Sequence, residues 1–295
     1  MYFIASGLAH HTGLCPLVLC WTRLTSDTIH YLAAGLATNS SLTQLDLSEN
    51  EEVSDAGMAQ VVRALVHHCA LTTLNLGRTG CGRLASHQLS RLLICSSAIQ
   101  DLDLSHNPLG DDGCAKISAS LSFQPSLTSL NLSYCHISSV GVAMLGTALG
   151  INLTLSTLNI SSDRRDEEVG AALTGGLLGN TTLQSLNLAD NHLGSAGLDP
   201  IIQMLTAGCS LTYLGLTNTQ LNDYACRQLA AALSYATQLE ELDLNQHQLG
   251  EGTSSICTAL AHSQTNSSLT RPRSGPRRCS APPTMTDNIP ELSSR

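Results

Sequence analysis

Eleven cysteines and eleven histidines in 295 residues are the side chains with which this chain could bind metal, form disulfides or supply a nucleophile. Metal and redox sites need them in close pairs such as CxxC, and a disulfide framework needs an even count in a chain that enters an oxidising compartment. Here the count is odd, no CxxC occurs, and the cysteines are scattered. Cys69, Cys95, Cys114, Cys226 and Cys257 fall on or beside segments of helical periodicity, where a free thiol acts as a small buried hydrophobe. His10-His11 and His67-His68-Cys69 stand at helix ends, where imidazole can meet the last carbonyls. Gly80-Cys81-Gly82 and Gly175-Gly176 lack the Lys-Ser/Thr and nucleotide fingerprint of a phosphate cradle. Arg164-Arg165-Asp166-Glu167-Glu168 suits a solvated turn before a helix. The expectation is therefore no catalytic residue, no cofactor, no metal and no enzyme activity.

Recognition remains, and its residues are set out by a repeat. The pattern Leu-x-x-Leu-x-Leu starts at Leu14 (LCPLVL), Leu42, Leu71, Ile99, Leu127, Leu155, Leu183, Leu211 and Leu239 (LEELDL), at intervals of 28 residues with one of 29. A fixed period of this size outranks other sequence signals for fold. Within each unit the fourth and sixth positions are apolar between polar neighbours, the mark of a strand buried on one face. Turn residues follow, as in LGDDG from Leu109, LGSAG from Leu193 and Leu221-Asn222-Asp223, whose short side chains can accept from helix-start N–H groups. Runs such as IHYLAAGL from Ile29 and ACRQLAAAL from Ala225 then carry apolar residues at three- and four-residue spacing. One such unit cannot bury its own apolar face, so stacked neighbours must share a core. This predicts an α/β leucine-rich repeat solenoid, a horseshoe with a parallel sheet on its concave face and helices on its convex face. Aromatic content of only 3% suits thin layers filled by Leu, Ala, Ile and Val.

The predicted organisation is a partial, helix-only repeat over residues 1–13, nine repeats over 14–265, and a disordered Ser/Pro/Arg-rich tail over 266–295. Leu269 opens a tenth unit, but Arg271-Pro272 follows, and proline lacks the N–H of a strand ladder. At the other end, residues 3–14 align with 31–42, and the first strand, around Leu17, Val18 and Trp21, is the most apolar. That edge reads as uncapped, which implies a fragment of a longer chain and possible self-association there. No signal peptide or membrane span is legible, and a cytoplasmic location follows. The sequons at Asn39, Asn131, Asn152, Asn159, Asn180 and Asn266 are then silent. Residues 1–270 hold nine basic against twenty-one acidic side chains. Such a body repels nucleic acid and anionic membrane and favours a protein partner with a basic or neutral surface.

The concave face supplies the candidate site. The third, fifth and eighth positions of each unit form polar ladders across the predicted sheet, and aromatic and Arg side chains are the usual interface anchors. The protein-binding candidates are Trp21, Asp46, Arg78, Asp101, Asp103, His106, Tyr134, Tyr213, Glu241 and Asp243. The alternative for any one Asp or Asn is a purely scaffolding role.

The text of the units, LQSLNLADNHLGSAG from Leu183 and IQDLDLSHNPLGDDG from Ile99, resembles the ribonuclease-inhibitor type of leucine-rich repeat over residues 3–265. That subclass is shared by ribonuclease inhibitor, Ran GTPase-activating protein and the sensor ends of NLR innate immune receptors. The units read as one type with a single tryptophan, unlike the inhibitor, and look closest to an NLR repeat array. The resemblance implies a ligand-sensing or regulatory protein-binding module. A Ran-type GTPase activator and a free-standing adaptor are the alternatives, although no residue is assignable to phosphoryl transfer.

Overall fold

The computed structural model describes residues 6–8, 11, 13–162, 168–247 and 250–262. Among the described residues, nine three-residue strands form one parallel sheet in sequence order. They are β1 Pro16–Val18, β2 Gln44–Asp46, β3 Thr73–Asn75, β4 Asp101–Asp103, β5 Ser129–Asn131, β6 Thr157–Asn159, β7 Ser185–Asn187, β8 Tyr213–Gly215 and β9 Glu241–Asp243. A helix follows each: α1 Ser26–Leu36, α2 Asp55–Leu65, α3 Arg83–Cys95, α4 Gly110–Leu121, α5 Ser139–Leu149, α6 Val169–Leu177, α7 Asp199–Thr206, α8 Asp223–Leu233 and α9 Gly252–His262. Register is direct, Leu45 beside Leu74 and Leu74 beside Leu102, so equivalent positions stack in rows. The leucine rows, with Ile29, Leu65, Leu89 and their equivalents from the helices, make one continuous core.

Neighbouring units are tied together by buried amides. Asn107 donates through Nδ2 to the carbonyls of Leu76, Leu104 and Ser105, and its Oδ1 accepts from the N–H groups of Thr79 and Cys81 in the preceding unit. Asn50 repeats this toward Leu19 and Leu24. At the same ninth position Thr79 donates to the carbonyl of Leu76 and pairs with the Cys81 thiol, and Cys135 donates to the carbonyls of Leu104 and Ser133. The units, which read as one type in the sequence, thus alternate over the first five between a threonine or cysteine form and an asparagine form. Helix starts are coupled across the intervening pairs of units. Asp55 accepts from Gly82, Leu84 and Ala85 at the start of α3, and Asp111 from Ser138 and Gly141 at the start of α5. A Cβ at Gly82 would lie 3.0 Å from Asp55, which accounts for the glycine. Asp111, expected to serve its own helix, serves the next one, whereas Asn222 does accept from Ala225 of its own helix.

A second ladder closes the helix ends. The Nδ2 groups of Asn39, Asn152 and Asn180 donate to the carbonyls of Leu8, Leu121 and Leu149, one unit back. These three sequon amides are buried, so the atom that would carry a glycan is inside the fold.

At the β1 edge the direction of the ladder matters. Position three of each later strand donates toward the preceding strand, as Gln44 does to the Cys15 carbonyl. In β1 that position is Pro16, which has no N–H to leave unpaired, a common way to blunt an edge. The edge is thus less open to strand addition than its apolar text suggests, although Val18 and Trp21 are exposed.

Candidate protein-binding face

The concave face is shaped by a turn repeated after eight of the nine described strands. The eighth-position residues Trp21, Glu49, Arg78, His106, Tyr134, Asp190, Asn218 and Gln246 all have φ between 52 and 61°. That left-handed conformation costs a side-chain-bearing residue roughly 1–2 kcal/mol. It is held by a bond to the next unit: the N–H groups of Arg78, His106 and Tyr134 donate to the carbonyls of Ser105, Ser133 and Ser161 at 2.9, 2.8 and 2.8 Å. The strain places one side chain per unit on the rim of the sheet.

Those side chains engage one another. Arg78 lies 3.6 Å from Glu49 and 3.7 Å from Glu51. The rings of His106 and Tyr134 stack with centroids 4.6 Å apart and planes within 6°. The Tyr134 hydroxyl donates to Asp190 at 2.6 Å, two units onward, and Asn218 donates to the other Asp190 oxygen at 3.0 Å. The intervening eighth position is the small residue Ser162. Asp190 and Asn218 were not among the expected binding residues; their shared place with Arg78 and His106 was the available signal.

The fifth-position acids have a scaffolding duty. Asp46 Oδ1 accepts from the backbone and hydroxyl of Ser48, Asp103 Oδ1 from Ser105, and Asp243 Oδ1 from Asn245. Asp103 also accepts from Asn131 through its second oxygen, at 3.0 Å. One oxygen of each acid therefore fixes the turn, and the carboxylate stays on the concave face with its position set. Asp101 is exposed and Glu241 half-buried at the third position. Tyr213 occupies a notch: a Cβ at Gly215 would meet its hydroxyl at 2.8 Å, so the glycine makes room for the ring. Burial, then Asp243 and Glu241, push the Tyr213 hydroxyl pKa upward. Trp21, 57% exposed, lies at the β1 end of the row.

Thiol chemistry divides by burial. None of the ten described cysteines is in a disulfide. Cys114 and Cys226 are buried as expected, but Cys69, Cys95 and Cys257 are exposed, because these helical or helix-end positions face outward. Burial pushes the Cys81, Cys114 and Cys135 thiols up to about 12. A raised folded pKa keeps its stabilising effect below the ordinary thiol value of about 8.5 and loses it as pH climbs toward 12. Native protein at pH 8 is expected to label rapidly with a thiol reagent at Cys15, Cys69, Cys95 and Cys257. Cys81, Cys114 and Cys135 should react only on unfolding; rapid native labelling of Cys81 by mass mapping would refute that burial. Among the described residues, no group of three or more His, Cys, Asp or Glu could hold a metal ion. Arg164, Arg165, Asp166 and Glu167 of the predicted turn, and residues 263–295 of the predicted tail, lie outside the described residues.

The repeated unit, the in-register parallel sheet and the outer helices define an α/β leucine-rich repeat solenoid. Residues 38–60, 96–118, 123–146 and 179–201 match the family model for the leucine rich repeat. Comparison with curated proteins gives no match. Among solved structures, the tropomodulin C-terminal domain of Caenorhabditis elegans is similar at 14% identity and a TM-score of 0.40, over 52% of this chain and 93% of that one. A structure described as leiomodin-1 actin-binding site 2 is similar at 14% identity and a TM-score of 0.30, over 69% and 84%. At this distance neither bears on what the chain does. No described helix is long and apolar enough to cross a membrane.

Proposed function

We propose that the chain is a protein-binding module that takes its partner on the concave face, as the ligand-sensing or regulatory repeat array of an NLR-like protein. The observation that carries the binding reading is the eighth-position row. Anchor-type side chains at Arg78, His106 and Tyr134 are held on the rim by strained backbone and fixed by stacking and by the Asp190 bond. Preorganised aromatic and Arg anchors cost little to immobilise on binding. Beside them stand Asp101 and Asp103, and toward the β9 end of the same face Glu241 and Asp243, which favour a partner with a basic or neutral surface. The NLR-like part rests on the repeat text from Ile99 and Leu183.

Affinity capture from cell extract with three forms of the chain tests this reading. The forms are unchanged, Arg78→Gly/Tyr134→Ala, and the convex control Tyr31→Ala/Ile94→Ala. Glycine suits the left-handed position of Arg78, so that substitution removes the anchor without straining the turn. The expected result is a protein retained by the unchanged and convex-control forms, lost at least about tenfold by the concave variant, and weakened by salt. Loss confined to the convex variant, or stimulation of GTP hydrolysis by Ran, would displace the proposal.

A further inference from the structure

The ninth strand is not finished as its predecessors are. The apolar residues at the fourth and sixth positions are buried in units two to eight, from Leu45 and Leu47 to Leu214 and Leu216, yet Leu242 and Leu244 are only half-buried. Glu241 N–H donates back to Thr212 and the Asp243 carbonyl accepts from Leu216. By the alternation of a parallel ladder, the N–H groups of Leu242 and Leu244 point outward. Beside them, Glu241 and Asp243 leave two acids at the open edge.

The chain that follows α9 repeats an earlier passage. Residues 265–270 read TNSSLT, letter for letter the sequence of 38–43. In that earlier copy Asn39 donates to Leu8 and accepts from Ser41 and Leu42, and the segment delivers the chain into β2. Asn266 therefore matches Asn39, Asn152 and Asn180, and its counterpart acceptor is the carbonyl of Leu233, the last residue of α8. The link from α9 to Leu269 has six residues, against five from α8 to Leu239, so the reach suffices. A strand in the same register would set Arg271 beside Glu241 and Arg273 beside Asp243 on the concave face, one strand spacing away. Pro272 takes the fourth position. The fourth-position N–H faces the following strand, as that of Leu17 faces β2, so proline there costs no bond to β9 and closes the outer edge.

We propose that residues 265–273 dock on the open edge of β9 as a tenth, terminating strand, with Arg271 and Arg273 paired to Glu241 and Asp243. Leu242 and Leu244 are thereby covered, and the acidic corner beside Tyr213 is neutralised. Insofar as that corner receives a partner, which rests on the function proposed above, the segment competes with basic partners for it.

Hydrogen exchange tests the docking without any partner, so its result is independent of whether the concave face binds. In the full chain the amides of Leu242 and Leu244 are expected to exchange at least about tenfold more slowly than in a chain ending at Ser268. The full-length double variant Arg271→Glu/Arg273→Glu should behave like the shortened chain, and adding Glu241→Lys/Asp243→Lys to it should restore protection. Equal exchange in full and shortened chains, protection that rises with protein concentration, or indifference to charge reversal would overturn the proposal.

Discussion

Gly176→Ala is expected to destabilise the array by about 3 kcal/mol or more, while Gly175→Ala, one residue earlier in α6, should stabilise it by roughly 0.5–1 kcal/mol. A methyl group on Gly176 would fall on the carbonyl oxygen of Gly146 in α5, and a Cβ on Gly146 would in turn lie 2.8 Å from the Ala172 carbonyl oxygen in α6. The obstacle is backbone, which cannot rotate aside as a side chain can, so α5 and α6 must separate. At Gly175 the added methyl meets nothing within 4 Å and the position is exposed, leaving only the helix-propensity gain of Ala over Gly. Urea midpoints of the two variants decide this. The same sign for both, or a Gly176→Ala midpoint within error of the unchanged chain, would mean the helices are not this close.

Asn107→Leu should lose roughly 3–5 kcal/mol, against about 1 kcal/mol for Thr79→Val at the equivalent place one unit earlier. Asn107 makes five hydrogen bonds to backbone, two of them from loop N–H groups of the preceding unit. Leucine fills the space and leaves those groups buried without partners. Thr79 makes one backbone bond, to the Leu76 carbonyl, which also accepts from Asn107, so its loss strands nothing. Thermal denaturation of both variants checks the ratio, and comparable losses would contradict the alternation of unit types. Because stability in such arrays sums unit and neighbour terms, exchange in Asn107→Leu should rise first in the loop from Thr79 to Cys81.

Much of the fold was legible in the sequence because its information is local and periodic. Leu45, Leu74 and Leu102 announce the buried strand face by two-residue alternation, and the helical stripes by three- and four-residue spacing. With a constant period, register follows: equal positions must stack. The concave rows containing Arg78, His106 and Tyr134 could be written down for the same reason.

What the tertiary structure alone decided lies between units, among residues 26 to 31 apart that no local pattern relates. The sequence shows Asp55 at a helix start but not that its carboxylate serves α3. It shows sequons at Asn39, Asn152 and Asn180 but not that their amides are turned inward to the carbonyls of the previous helix. It places Cys95 and Cys114 on similar helices, whereas outward or inward rotation makes one exposed and the other inert. Even Pro16 changes meaning with direction. A proline ends a ladder only on the side its nitrogen faces, and that side is defined by which neighbour is present, a property of the assembled sheet and of no single strand.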